Sequence, residues 1–374
     1  MKNLIFTGKK IVLFFALSTS VICYSQKYDF QTVTEVPCLP VISQDNTGTC
    51  WSFSSTSFLE SEIVRITGKP IDLSEMYSVR QTYPKKALNY VMRQGKAQFG
   101  EGGLNHDVIN SALEYGLVPE SAYSGRINGS KLNHSKMAKD LEDLLKSVVK
   151  NPMKLATTWK SDYEAILDQN IGKPLTEFTY DGKQYTPKQF LETTQLKLAD
   201  YVTITSFTHE PYYSKFILNI PDNFANGSFL NLPLNEFIEN IDNALKNGYT
   251  VALDADVSEK TFSKTYGIAV VPENDSDSTS ILTEIKPEKN VTAELRQSEF
   301  ENYNTTDDHL MHIVGTMKDQ KGNMYYKVKN SWGTDNAGHN GYIYMSAAYV
   351  KLKAISVMVH KDALLSATRS SLGI

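Results

Sequence analysis

Gln44-Asp45-Asn46-Thr47-Gly48-Thr49-Cys50-Trp51-Ser52-Phe53 is the stretch that decides the fold. Upstream of it, Pro37–Asn46 is extended and turn-rich. From Trp51 the pattern becomes helical: Trp51, Phe53, Phe58, Leu59, Ile63, Val64 and Ile66 fall largely on one stripe. Gly68 and then Pro70 stop it. Cys50 is thus expected at the start of a long buried helix. There the exposed N–H groups and the helix dipole favour a thiolate, the nucleophilic form of cysteine. Gly48 permits a tight turn that presents the thiol. Gln44, across that turn, carries a side-chain amide that can converge with the Cys50 N–H on one point, as an oxyanion hole requires. A lone cysteine is more often an inert core thiol, so the rest of the chain has to supply a base.

Seven histidines are available, and His309 stands out by context. It follows Asp307-Asp308 and opens the apolar run Leu310–Gly315. A second strand pattern, Tyr325–Lys329, leads into Asn330-Ser331-Trp332-Gly333. A strand carrying the base beside a strand ending in an amide lets Asn330 accept the imidazole N–H and fix its tautomer. Trp332 would shield that bond from water. His312 differs from His309 by an odd number, so in a strand it faces the other side. His134, on a polar helix start, reads as solvated, and His106 as a helix-end residue.

The remaining chain sets the frame. At 374 residues, with 41% hydrophobic and 21% charged, it is an ordinary globular sequence, neither disordered, collagen-like nor coiled coil. The net charge of −4 offers no basic surplus for nucleic acid. Only Cys23, Cys38 and Cys50 are present, too few for a disulfide framework. Lys2, Lys9 and Lys10 precede an apolar run from Ile11, the pattern of a signal peptide, with cleavage after Ser25. The run is short of the ~20 apolar residues of a membrane span. Ile22, not a small residue, precedes Cys23, which weighs against a lipoprotein. The expected mature chain is exported, with no stable membrane span, and keeps Cys38 and Cys50.

Gly100-Glu101-Gly102-Gly103 precedes a helix over His106–Tyr115 that Asn105 is expected to cap. Ser135 is expected to cap another, a hairpin turns at Asp181-Gly182, Thr186-Pro187 starts a further helix, and Leu234–Lys246 is amphipathic. The last third is β-rich. The expected class is α+β with two lobes. The organisation is 1–25 signal segment, 26–125 helical lobe, 126–248 inserted block, 249–360 β-rich lobe and 361–374 tail.

These residues together resemble the papain-like cysteine peptidases. Gln44 with Gly48–Phe53 matches the nucleophile segment, Asp308-His309 with Val314-Gly315 the histidine strand, and Asn330–Gly333 with Asn340–Ile343 the asparagine segment. Gly102-Gly103 matches the stretch lining the non-primed side of the cleft. Gln94–Gly103 and Leu73–Tyr77 resemble more closely the bleomycin hydrolase and aminopeptidase C branch. His309 lies 259 residues after Cys50 (309 − 50), against ~130–150 in plain relatives, and the surplus matches the 126–248 block. The resemblance implies a papain-like fold and a Cys50–His309 thiolate–imidazolium pair oriented by Asn330. Gln44 would hold the oxyanion and Gly102, Gly103 and Trp332 would line the substrate. It also implies that the tail enters the cleft, so that the Ile374 carboxylate pairs with the amine of a peptide substrate and makes the enzyme an aminopeptidase. An endopeptidase with the same site, or a silent peptide-binding relative, are the alternatives. No metal or cofactor is implied. The cytosolic relatives form hexamers, which leaves a homo-oligomer open here. Leu310 departs from the family's usual alanine.

Overall fold

The computed structural model describes residues 27–129, 131–151, 153 and 158–374; the expected signal segment, 1–25, lies outside them. The helices are α1 (Cys50–Thr67), α2 (Glu75–Met92), α3 (Asn105–Tyr115), α4 (Ser135–Lys150), α5 (Trp159–Ile171), α6 (Pro187–Thr194), α7 (Leu234–Lys246), α8 (Ala293–Glu301), α9 (Ala347–Lys353) and α10 (Ser366–Leu372). The strands are β1 (Gln31–Glu35), β2 (Phe178–Tyr180), β3 (Lys183–Tyr185), β4 (Tyr201–Thr205), β5 (Lys215–Ile217), β6 (Ser228–Asn231), β7 (Val251–Ala255), β8 (Phe262–Ser263), β9 (Ile268–Ala269), β10 (His309–Lys318), β11 (Met324–Lys329), β12 (Tyr342–Ser346) and β13 (Ala354–His360).

One sheet runs in the order β5-β6-β4-β13-β7-β10-β11-β12-β9-β8, with β1 also pairing β10. Its two faces are covered differently, as strand alternation demands. Ala252, Leu310 and Met358 pack with Cys50, Trp51 and Phe58 of α1 in one core. Leu253, Met311, Ile313 and Val357 pack with Phe237, Ile241 and Leu245 of α7 in another. The α+β class is as the sequence implies.

Helix α1 is buried from Cys50 to Ile63. Ser52, Ser54, Ser55 and Ser57 make that burial feasible, because each is small and finds a partner. Ser52 Oγ donates to Glu75 O at 2.8 Å, Ser54 Oγ to Met311 O at 2.5 Å, and Ser57 Oγ lies 2.9 Å from His312 Nδ1. The first of these bonds ties α1 to the start of α2, and the other two fix its register against β10. Gly68, at φ 70°, closes the helix in the left-handed conformation.

The 126–248 block is woven into the rest of the fold: β4 pairs with β13, so the main sheet runs through it, while α4 and α5 join the α1 core. Three expectations need correction. Asn105 is the first residue of α3 and not its cap; Asp107 Oδ2 accepts the Leu104 N–H at 2.8 Å, and Asn105 Oδ1 accepts from Ser55 Oγ. The helix expected from Ser135 likewise has His134 at its cap position. His134 is buried, with Nδ1 3.3 Å from Glu101 Oε2, and not solvated.

Candidate active site

Cys50 is the first residue of α1, and Thr47 and Gly48 shape the turn before it. Thr47 Oγ1 donates to Gln44 O at 2.8 Å, closing the turn. Gly48 lies so close to Glu101 that an added Cβ would stand 2.9 Å from the Glu101 Cβ. The Gly48 N–H donates to Glu101 Oε2 at 2.8 Å and the Trp51 indole to Glu101 O at 2.9 Å. The glycine stretch 100–103 is thereby stapled to the nucleophile segment. A Cβ on Gly103 would press on the Trp51 ring at 3.0 Å.

His309 opens β10, and His312, three residues further on, is turned under α1 toward Ser57. His309 Nε2 lies 2.8 Å from Asn330 Oδ1, which also accepts the Ser331 N–H at 2.8 Å. An acceptor held this way takes a proton from Nε2 and leaves Nδ1 as the basic nitrogen. Trp332 covers the pair, its ring centroid 4.7 Å from that of His309. The next residue on the strand, Leu310, is buried in the core that holds Cys50, and its backbone N–H makes a hydrogen bond that favours the thiolate.

Gln44 is buried and fixed at both ends. Ser331 Oγ donates to its Oε1 at 2.6 Å, and Nε2 donates to Thr47 O at 2.6 Å. An amide nitrogen carries two protons, so one N–H remains for a ligand. The Gln44 and Ser331 backbones are joined as well, N to O at 2.8 Å. The oxyanion candidate is thus tied to the segment that carries Asn330.

Electrostatics at the pair is dominated by burial. Desolvation pushes the Cys50 thiol up to about 12, with the charges of Asp222 and Asp307 adding to it. Desolvation pushes the His309 imidazole down to about 4, against the hydrogen bond to Asn330. Both shifts favour the uncharged thiol and imidazole. The expected ion pair therefore depends on the mutual attraction of the two charges once the proton has moved.

Ile374 is not brought to this site. The tail folds into α10, which docks on α7: Asn240 Nδ2 donates to Thr368 Oγ1 at 3.0 Å, and Thr368 Oγ1 donates to Glu236 Oε1 at 2.5 Å. That is the sheet face away from α1, and Ile374 is left half-exposed with its N–H on Arg369 O. Gly102 is at the site, but its neighbour is a surprise. An added Cβ would meet Asp222 Oδ2 at 2.0 Å. Asp222 has no local motif around it and lies 172 residues beyond Cys50 (222 − 50). Ser331 lies in the asparagine segment, and its part in holding Gln44 emerges only from the fold. Cys38 is free, with Sγ 3.6 Å from the Tyr342 hydroxyl.

Comparison with known proteins gives the family and the fold. Over 88% of this chain and 83% of the relative, it is 26% identical to Aminopeptidase G of Lactobacillus delbrueckii subsp. lactis. It is 24% identical, over the same shares, to Aminopeptidase E of Lactobacillus helveticus. The crystal structure of PepW from Lactobacillus rhamnosis superposes with a TM-score of 0.74 over 92% of this chain and 84% of that one, at 18% identity, which shows the shared fold. The model of the Peptidase C1-like family matches residues 87–372, a stretch that starts after Cys50 and includes His309 and Asn330. The chain belongs to the Peptidase C1-like family, and its fold is that of the papain-like cysteine peptidases.

Proposed function

We propose that this protein is an exported aminopeptidase in which Cys50 is the nucleophile, His309 the general base and acid, Asn330 the orienting residue and Gln44 an oxyanion donor. The observation that carries the reading is the meeting of α1 and β10. A thiol at a helix N-terminus packs against the strand whose first residue is an imidazole locked to an asparagine at 2.8 Å. His309 Nδ1 takes the thiol proton as sulfur attacks the peptide carbonyl carbon. The carbonyl oxygen gains the negative charge, and the Cys50 N–H and the free Gln44 N–H receive it. The C–N bond then breaks, and the imidazolium gives its proton to the leaving amine. Water, deprotonated by His309, attacks the thioester and frees the acid and the thiol.

Replacing Cys50 with Ala should abolish both peptide hydrolysis and labelling by a thiol-directed epoxide. Hydrolysis that survives in C50A refutes the assignment. The names of the two aminopeptidase relatives support the exo reading. The docking of α10 on α7 favours the endopeptidase alternative, since no tail carboxylate lies near Cys50. Comparing a peptide with its N-acetylated form separates the two: equal cleavage would establish the endopeptidase. Export rests on Lys2, Lys9, Lys10 and the apolar run after them. A mature N-terminus at Gln26 in an exported fraction is the expected result, and an intact Met1 would contradict it.

A further inference from the structure

The cleft holds carboxylates that the hydrolytic steps do not use. Asp222 projects from the 218–227 loop onto the edge of the glycine stretch, in the room that the missing Gly102 side chain leaves. The loop is held rigidly. Asn223 Nδ2 donates to Leu218 O at 2.8 Å and to Gly227 O at 2.9 Å, and its Oδ1 accepts the Gly227 N–H at 2.7 Å. Gln98 Nε2 donates to Asp222 Oδ1 at 3.1 Å, and the Asp222 N–H reaches Asp307 Oδ2 at 3.4 Å. Asp307 stands two residues before His309.

Behind these lies Asp254. It is directly opposite Leu310 in the β7–β10 pairing, and opposite residues point to the same face. That is the face on which Leu310 packs with Cys50. Asp254 is 0% exposed and faces the Asp307 carboxyl, with which it shares a proton, and no N–H donor reaches either Asp254 oxygen or Asp307 Oδ1. Buried acceptors left in that condition are costly, and what they lack is a group rich in N–H donors. The nearby cation, Lys86, is engaged, its Nζ donating to Gly102 O. Its charge faces Asp222, Asp107, Glu101 and Asp307 together, so the wall keeps a surplus of acid.

We propose that Asp222, backed by Asp307 and Asp254, receives the free α-ammonium of the peptide substrate and thereby confines cleavage to the N-terminal end. An ammonium brings three donors and one positive charge. An acetylated terminus brings one donor and no charge. The same carboxylate stands where a longer chain would continue along Gly102, so it blocks as well as binds. This rests on the peptidase reading above, and it gives to Asp222 the part that the resemblance assigned to Ile374.

The test measures kcat/KM for a peptide with a free amine and for its N-acetyl form, in the wild type, Asp222→Asn and Asp222→Glu. Epoxide titration of Cys50 counts active sites in each. The expected result is a strong wild-type preference for the free amine. The ratio should fall at least 10-fold in D222N, through KM, and return substantially in D222E. A preference unchanged in folded, fully titrated D222N overturns the inference and leaves the peptidase reading standing. Equal cleavage of both peptides by the wild type overturns it as well, again with Cys50 chemistry intact. A wild type that neither hydrolyses nor titrates overturns both. Should D222N not fold, the wild type alone decides: leucinamide should slow epoxide labelling and N-acetyl-leucinamide should not, and equal protection overturns the proposal.

Discussion

Ser331→Ala is a sharp test of how the oxyanion donor is held. The Ser331 hydroxyl touches Gln44 Oε1 at 2.6 Å and thereby decides which end of that amide faces the cleft. Without it, the amide keeps only the bond from Nε2 to Thr47 O and can rotate. Losing the donor outright, as in Gln44→Ala, removes one arm of an oxyanion hole, a loss of about 10²–10³ in kcat. Ser331→Ala removes only the hydrogen bond that orients it. The net worth of such a bond is about 0.5–1.5 kcal/mol, which converts to a fall in kcat of about 2- to 13-fold. Ser331 is a positioning residue, so the effect should fall on kcat with KM nearly unchanged, because the oxyanion exists only along the reaction path. Buried Gln44 Oε1 also loses its donor, which costs about 1–3 kcal/mol of fold stability. Steady-state kinetics on a free-amine peptide, beside a thermal melt, separates the two effects. A variant that melts earlier but keeps its wild-type kcat would show Ser331 to be structural only. A change confined to KM would place Gln44 in ground-state binding instead.

Two further outcomes follow from the same structure. Burial pushes the Glu60 carboxyl up to about 8, and those of Glu120 and Glu288 up to about 7. Above ~6.5 the unfolded chain has already released these protons, so the folded state binds more of them and stability falls as pH rises. His309, lowered to about 4, acts in the opposite sense only below that window. The melting temperature should therefore drop between pH 6.5 and 8, and drop less in Glu60→Gln; a flat profile in the wild type would contradict the buried acids. Deleting Ile374, which is half-exposed on the α7 side, should leave the free-to-blocked cleavage ratio unchanged, whereas a collapse of that ratio would restore the tail as the anchor.

What the sequence disclosed depended on how local each signal was. Cys50 at a helix start was legible because Gly48, the apolar stripe and Gly68 lie within one short stretch. His309 and Asn330 were legible because each opens or ends a strand of alternating pattern, and the odd spacing of His312 turned it toward α1. The cap falls at Leu104 and not at Asn105 because an aspartate two residues inside the helix, Asp107, reaches back to the Leu104 N–H, and the residue type at the cap position does not report this. The burial of His134 is hidden from the sequence for a related reason. Its neighbours in sequence are polar, but Glu101 and Tyr83, which close over it, come from other segments.

The middle block shows the limit most clearly. Its length marks it as an insertion, but length alone does not say where an insertion packs. The chain returns through β4, whose Thr203 and Ile204 pair with Met358 and Val357 of β13, and so extends the sheet that carries His309. Once β4 is fixed there, β6 must lie beside it, Ile204 opposite Leu230, and the 218–227 loop between β5 and β6 is carried back over α3. Gly227 is the point of contact: an added Cβ there would stand 2.3 Å from the His106 ring. With its far end pinned on α3, the loop has Gly102 within reach of Asp222. A block that were merely appended would leave the cleft open at this edge. A block woven into the sheet delivers a carboxylate to it, and no run of residues around Asp222 announces that, because the information resides in strand pairing more than 100 residues away.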